Sequence, residues 1–252
     1  MNRFSFVLSG LTVAACSSSS QTPAAPIPDG GVAPDGGTTD APAGGTECTS
    51  ARTQLLLPIE KTSTGTVSIV SDSNGKKTLY VDASAGGLGS SAKNPRVYVD
   101  LAAGARVAVT DKTAPDSKDW DLALKRSIIF TNGGDAGVGQ GGALQITKPF
   151  ASVTAADVSV AKLEKESFFD ADCNAKLDPT GAVNTTFSTW YDYDQATNIP
   201  SPKPGVTYVV RGGSGRLFKV GIKAYDALPD GGSRNNMSTG FYLLEVTEVT
   251  AP

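Results

Sequence analysis

Four oxygen-bearing side chains between residues 170 and 178 have the spacing of a calcium-binding loop. Asp170, Asp172, Asn174 and Asp178 fall at positions 1, 3, 5 and 9 of the twelve-residue calcium loop. Carboxylate and amide oxygens are the hard ligands that Ca²⁺ requires. Ala175, however, stands where the loop needs glycine, and no glutamate follows at position 12. The segment is therefore either a calcium site or a polar surface loop.

The segment STWYDYD (188–194) carries three aromatic side chains, Trp190, Tyr191 and Tyr193, that could contact a flat ligand. Exposed aromatic rings stack on such ligands, and a tyrosinate oxygen can bind haem iron. The alternative is packing along a strand, with Trp190 on one face and the two tyrosines on the other. Met237 offers a thioether as a further ligand contact, or it fills a gap in a loop.

The sequence contains no histidine. Its absence excludes Ser-His-Asp and Cys-His catalysis, zinc sites with histidine ligands and the commonest axial ligand of haem iron. An enzyme would have to use carboxylates, lysine, tyrosine or a Ser-Lys pair.

Charged residues in the segment DWDLALKRSIIFTNGG (119–134) could suggest acid-base chemistry. We interpret the segment as one long strand, on which Asp121 and Lys125 are about 13 Å apart. Because that distance is too large for direct contact, we expect no catalytic pair. Arg126 or Asp121 should instead form a salt link to a neighbouring strand. Apolar side chains should face the core, namely Trp120, Leu122 and Leu124.

The segment GVGQGG (137–142) matches the GxGxxG pattern of dinucleotide-binding loops. Such a loop needs a following helix, whose N-terminus holds the pyrophosphate. The strand-like ALQITKPF follows here, so a glycine hairpin or flexible loop is the better interpretation.

The 252 residues carry a net charge of −3, and 39% of them are hydrophobic. This composition is that of a globular protein, and it predicts no strongly basic face for nucleic acid.

The first 16 residues, MNRFSFVLSGLTVAAC, resemble the signal peptide of a bacterial lipoprotein. Arg3 precedes a short apolar run, and Val13-Ala14-Ala15-Cys16 resembles a lipobox. We therefore predict lipidation of Cys16, a membrane anchor and a place in the bacterial cell envelope, on the outer membrane. Residues 17–47, rich in Ser, Pro, Gly and Ala, read as a disordered linker.

With Cys16 lipidated, Cys48 and Cys173 remain. An even number of cysteines in an exported protein predicts a disulfide, which would fix the start of a domain spanning 48–252.

Residues from about 51 onwards alternate apolar and polar side chains with period two, which predicts a mainly antiparallel all-β fold. One or two short helices are expected, one of them within 154–167 and capped by Thr154 with Asp157. Gly213-Ser214-Gly215 predicts a hairpin turn. The predicted strands are 66–70, 77–82, 96–101, 106–110, 206–211, 216–226 and 240–250.

Several of these segments together resemble the HmuY family of haem-binding bacterial lipoproteins. DWDLALKRSIIFTNGG resembles that family's W-D-[IL]-A-[FL]-x-R and T-N-G-G motif, and GVGQGGA resembles its glycine-rich segment. VYVDLAAGARVAV, STWYDYD and VTYVVRGGSGRLFKVGIKAYD extend the resemblance over about residues 64–250.

The resemblance implies a lipid anchor, an HmuY-like β fold and binding of haem or a related porphyrin, without enzymatic activity. Members with a known haem site use paired His or Met ligands, whereas this chain has no His and, beyond its signal peptide, only Met237. The alternative is therefore a fold relative that does not bind haem and acts as another binding or structural lipoprotein of the envelope.

Overall fold

The computed structural model describes residues 48–196, 199–234 and 238–250. One α-helix, α1 (Thr49–Leu56), opens this part of the chain, and every other regular helical segment described is a single 3₁₀ turn. Cys48 and Cys173 form a disulfide with a Cα–Cα distance of 5.4 Å, as predicted, so the first described residue is covalently fixed to the body.

A six-stranded antiparallel sheet forms one layer of the fold. Its strands, in chain order, are β1 (Val67–Ser73), β2 (Lys76–Asp82), β7 (Gly142–Ile146), β10 (Thr207–Arg211), β11 (Leu217–Ala224) and β12 (Phe241–Val249). Their order in space is β1-β2-β12-β11-β10-β7. The predicted strands of both chain ends thus meet in one sheet, and the predicted turn at Gly213–Gly215 joins β10 to β11.

A four-stranded antiparallel sheet forms the second layer. It contains β3 (Val97–Asp100), β4 (Ala105–Val107), β5 (Leu122–Lys125) and β6 (Ile128–Thr131), in the order β4-β3-β5-β6. A separate two-stranded ribbon pairs β8 (Tyr191–Asp194) with β9 (Ile199–Pro202). All strand pairs of the three sheets are antiparallel, which confirms the predicted fold class.

The segment 119–134 is a hairpin, and our interpretation of it as one long strand is wrong. β5 ends at Lys125, the chain turns at Arg126 and Ser127, and β6 returns with Lys125 opposite Ile128. Arg126 adopts a left-handed φ of 53°. Its guanidinium donates to the carbonyl oxygen of Thr239 at 2.8 Å and to the Thr239 hydroxyl at 3.1 Å. The predicted salt link of Arg126 is thus replaced by hydrogen bonds that hold the turn.

Three strands of this sheet, β3, β5 and β6, are buried on both faces, so their side chains divide between two hydrophobic clusters. Leu122, Leu124 and Ile129 pack towards the six-stranded sheet. Ala123 and Phe130 face the other way, together with Trp120, Tyr98 and Phe168, and α1 covers part of this second cluster. Trp120 is buried as predicted, but it lies on the opposite side of the sheet from Leu122 and Leu124.

The predicted helix within 154–167 is reduced to two 3₁₀ turns, Ala155–Asp157 and Val160–Lys162. Its predicted cap is nevertheless present, because the Asp157 carboxylate accepts from the backbone N–H and the hydroxyl of Thr154 at 2.9 and 3.1 Å. Ser159 then has extended dihedral angles, which stop the helix from propagating. Within the described ranges, no helix has the length and apolarity needed to cross a membrane.

Candidate functional site

The side chain of Asn132 explains why an Asn-Gly-Gly sequence follows β6. Asn132 is completely buried, and its Nδ2 donates to the carbonyl oxygens of Ser117 and Trp120 at 2.8 and 2.9 Å. Its Oδ1 accepts from the N–H of Gly139 at 3.2 Å. One amide therefore joins three segments of the chain, and this part of the motif has a structural role.

The glycines of 137–142 are needed for close packing against Asn132. A Cβ at Gly139 or Gly141 would lie 2.4 Å from Asn132 backbone atoms, well inside van der Waals contact. β7 begins directly at Gly142, and no helix N-terminus follows that could hold a pyrophosphate. The structure thus agrees with the loop interpretation of this segment, and its glycines are closely packed.

Asp121 is a buried carboxylate that forms no salt bridge with any described residue, contrary to our alternative prediction for it. Its oxygens accept from the backbone N–H groups of Leu101 and Gly213 at 2.8 and 3.1 Å. Gly212 passes so close that a Cβ there would lie 1.9 Å from the carboxylate. Burial raises the pKa of Asp121 to about 6, against the opposing effect of the two backbone donors.

This raised pKa predicts a pH-dependent contribution to stability. The native state binds a proton that the unfolded state releases, so the contribution is lost as pH rises through about 6. We expect the free energy of unfolding of the wild type, relative to Asp121→Asn, to fall by about 2 kcal/mol between about pH 4.5 and pH 7.5. Urea denaturation of both proteins at the two pH values measures this difference. A pH-independent difference would contradict the assignment.

Two of the predicted calcium ligands, Asp170 and Asp178, hold separate turns of their segment. The Asp170 carboxylate accepts from the backbone N–H groups of Asp172 and Asn174, at 3.0 and 2.8 Å, and from Asn174 Nδ2. The Asp178 carboxylate instead caps a separate turn at Thr180 and Ala182. Among the residues that the model describes, no group of three or more acidic, Cys or His side chains could hold a metal ion. These contacts favour the polar-loop interpretation, with Asp170 and Asp178 each holding a turn of the segment.

Trp190 belongs to the core. Its side chain is 2% exposed, its Nε1 donates to the carbonyl oxygen of Ser127 at 2.9 Å, and its ring packs against Tyr225 and Tyr242 with centroid distances of 5.2 and 5.5 Å. A side chain in this position cannot stack on a ligand from solvent. The packing interpretation is therefore the one that the structure supports for Trp190.

Tyr191 and Tyr193 lie on one face of β8, where Tyr193 is exposed and Tyr191 packs against the core, its ring centroid 4.9 Å from that of Trp190. In the antiparallel ribbon Tyr191 pairs with Pro202 and Tyr193 with Pro200, so the four rings share one face. We call these four residues the ribbon face. Tyr193 is 52% exposed, whereas Tyr191 is partly buried, which raises its pKa. The remaining predicted contact, Met237, lies outside the described residues.

A cavity that the sequence analysis missed lies between α1 and the four-stranded sheet. It measures about 400 Å³, and we call it the α1 pocket. The second hydrophobic cluster supplies its aromatic lining, and α1 supplies one wall. Its principal lining residues are Arg52, Thr53, Arg96, Tyr98, Trp120 and Phe130. No local pattern could have predicted it, because these residues come from distant parts of the chain.

Comparison with known proteins identifies relatives of the chain. The family model described as HmuY protein matches residues 92–241. A search of curated proteins gives no match.

Three solved structures are similar to this chain. A predicted lipoprotein of Bacteroides fragilis has 16% identity and a TM-score of 0.47, with 74% of this chain and 96% of that one covered. A predicted HmuY-like haem-binding protein of Bacteroides vulgatus has 17% identity and a TM-score of 0.44, with 72% and 96% covered. The apo form of an HmuY analogue from Tannerella forsythia has 16% identity and a TM-score of 0.45, with 68% and 95% covered.

Proposed function

Because the chain belongs to the HmuY family, we propose that it is a lipoprotein of the bacterial cell envelope that binds haem or a related flat porphyrin. The family match over residues 92–241 is the observation that carries this proposal. The protein then acts as a binding protein and not as an enzyme. The haem-binding description of the Bacteroides vulgatus protein agrees with this class of ligand.

The ribbon face is the part of the described chain that suits such a ligand best. Its two tyrosines and two prolines share one side of the ribbon, and Tyr193 is the exposed ring among them. A tyrosinate oxygen is an established ligand of haem iron, so Tyr193 takes the role that the chain cannot give to histidine. The bound haem would supply the iron and the visible absorption, and the protein would bind and orient the haem.

The second candidate is binding of a porphyrin without ligation of its iron. It is favoured by the absence of histidine and by the presence of only one methionine, Met237, beyond the signal peptide. In that case stacking on the ribbon face, and not a bond to iron, would hold the ligand.

Titration of the purified full chain with haemin tests the proposal, with iron-free protoporphyrin IX titrated in parallel. We expect a saturable, 1:1 shift of the Soret band of haemin at micromolar concentration. A much weaker change with protoporphyrin supports iron ligation, whereas equal binding of the two supports the second candidate. No saturable change with either compound would refute both.

The proposed membrane anchor depends on Cys16 and the lipobox residues before it. Attached acyl chains give stable anchoring where two or more are present. We expect the wild type to sediment with membranes and to enter a detergent phase, and Cys16→Ser to be released into the aqueous phase. Cell fractionation with immunoblotting measures this partition. Equal partition of the two proteins would contradict the anchor.

A further inference from the structure

The two most exposed large hydrophobic side chains among the described residues are Leu88 and Leu57. Their exposed fractions are 83% and 58%. Leu88 lies in the loop between β2 and β3, and Leu57 directly follows α1. A single exposed leucine is ordinary on a protein surface and indicates nothing by itself. The meaning of these two therefore depends on the side chains beside them.

The loop around Leu88 holds that side chain away from the body of the protein. At the base of the loop, Asn94 Nδ2 donates to the carbonyl oxygen of Ala85 at 2.9 Å. At its tip, a Cβ at Gly87 or Gly89 would meet no atom of the described residues within 4 Å beyond its chain neighbours. The loop is thus fixed at its base, and Leu88 projects from its tip into solvent.

A lysine connects the two segments that carry these leucines. Lys61 lies four residues after Leu57, and its Nζ donates to Asn94 Oδ1 at 3.0 Å. Because the same Asn94 side chain holds the loop of Leu88, the two segments are neighbours in space. Lys93, directly before Asn94, adds a second exposed ammonium group. Two lysines therefore accompany the two leucines.

The turn after β4 brings a third lysine to the same place. The N–H of Asp111 donates to the carbonyl oxygen of Ile59 at 3.2 Å, so this turn lies alongside residues 57–63. Lys112 Nζ lies 2.7 Å from Glu60 Oε2, and both side chains are more than half exposed. Because an exposed ion pair is weak, the Lys112 ammonium group stays accessible to a partner.

These contacts join residues 57–63, 84–95 and 110–113 into one surface. We call it the leucine-lysine surface, after Leu57, Leu88, Lys61, Lys93 and Lys112. The exposed charged side chains of the three ranges are Lys61, Lys93, Lys112 and Glu60. Three positive charges thus stand against one negative charge, in a chain whose net charge is −3. Exposed apolar side chains among basic ones suit a membrane interface, where lysines meet anionic headgroups and leucines leave water.

We propose that the leucine-lysine surface contacts the bilayer that carries the protein, with its leucines among the headgroups and its lysines on anionic phospholipids. This inference rests on the proposed anchor, which keeps the domain near the bilayer and so makes a weak contact effective. The chain between Cys16 and Cys48 is long enough for any face of the domain to reach the bilayer. The anchor alone therefore selects no orientation, and the leucine-lysine surface selects one.

Fluorescence quenching by brominated lipids tests this contact, because bromine on an acyl chain quenches a tryptophan only at close range. The full chain is purified as Leu88→Trp and as Leu177→Trp, a control that changes a 50% exposed leucine outside the surface. The native Trp120 and Trp190 are 0% and 2% exposed, so they add little to the signal. On brominated phosphatidylglycerol vesicles we expect quenching at least about threefold stronger in Leu88→Trp than in Leu177→Trp. On brominated phosphatidylcholine vesicles this difference should shrink, since the headgroups carry no net charge.

Charge reversal tests the role of the lysines. Lys61→Glu together with Lys93→Glu, introduced into Leu88→Trp, should lower its quenching on phosphatidylglycerol at least about threefold. Lys162→Glu together with Lys165→Glu makes the same change of charge at exposed residues outside the surface and should leave the quenching unaltered. Equal quenching in the two double variants would overturn the lysine contacts with the headgroups.

The anchor has a separate readout, because flotation with phosphatidylcholine vesicles should require Cys16 and not the leucine-lysine surface. Quenching of Leu88→Trp no stronger than that of Leu177→Trp on phosphatidylglycerol would overturn the surface, whether or not the protein floats. Absent flotation on phosphatidylcholine, together with the expected quenching on phosphatidylglycerol, would refute the anchor and retain the surface.

Discussion

Replacement of Asn132 by aspartate should destabilise the protein by about 3–5 kcal/mol, although the two side chains have nearly the same shape. The Asn132 Nδ2 group donates to two buried carbonyl oxygens, those of Ser117 and Trp120. An aspartate places a carboxylate oxygen against both of them, so two donors are lost and a charge is buried without a partner. Equilibrium urea denaturation at neutral pH measures the change.

A matched control is available at Asn184, which is exposed. Asn184→Asp makes the same chemical change at the surface and should alter the free energy of unfolding by less than about 0.5 kcal/mol. The loss in Asn132→Asp should also shrink at acid pH, where the carboxyl group is protonated and can donate again. A cost of less than about 1 kcal/mol for Asn132→Asp would contradict the structural role of the Asn-Gly-Gly motif.

Removal of the disulfide should have the second large effect. Cys48 and Cys173 are 125 residues apart in the chain, so their bond restricts a long loop in the unfolded state. Such a constraint is worth about 3–5 kcal/mol on the chain-entropy model. We expect the double variant Cys48→Ser, Cys173→Ser to lose about this much stability in urea denaturation.

The same variant should release α1. The helix has eight residues, none of them fully buried, and an isolated helix of that length is marginal in water. Hydrogen–deuterium exchange should therefore show fast exchange in α1 while β3 and β5 stay protected. Unchanged stability together with a protected α1 would contradict this role of the disulfide.

The strands could be predicted where polar and apolar side chains alternate along the chain and where glycine marks the turn. β11 meets both conditions, because buried and less buried residues alternate over most of it and the turn at 213–215 precedes it. The β5–β6 hairpin meets neither, because its strands are buried on both faces and its turn is Arg126-Ser127. Two apolar runs, 122–124 and 128–130, flank Lys125, Arg126 and Ser127, and period-two counting carried one strand through these three residues, which contain the turn.

The candidate sites show a different limit of sequence reasoning. Trp190 and Tyr193 lie three residues apart in one motif, yet one is in the core and the other on the surface. Their alternation predicted opposite faces but not which face is buried, because burial depends on Tyr225 and Tyr242 far along the chain. The disulfide was predictable because only one pair of cysteines remained after Cys16. The α1 pocket joins α1 to β3 and β6, and only the tertiary structure brings these together.

Haemin titration of three proteins side by side tests the central claim most directly, namely that a flat porphyrin binds on the ribbon face. The proteins are the wild type, Tyr193→Ala and the control Thr53→Trp, which changes an exposed residue of α1 instead of the ribbon face. We predict a saturable Soret shift for the wild type and for Thr53→Trp with equal affinity. For Tyr193→Ala we predict an affinity at least about tenfold weaker, a loss of about 1.4 kcal/mol. An unchanged affinity in Tyr193→Ala, or no saturable shift in the wild type, would contradict the account.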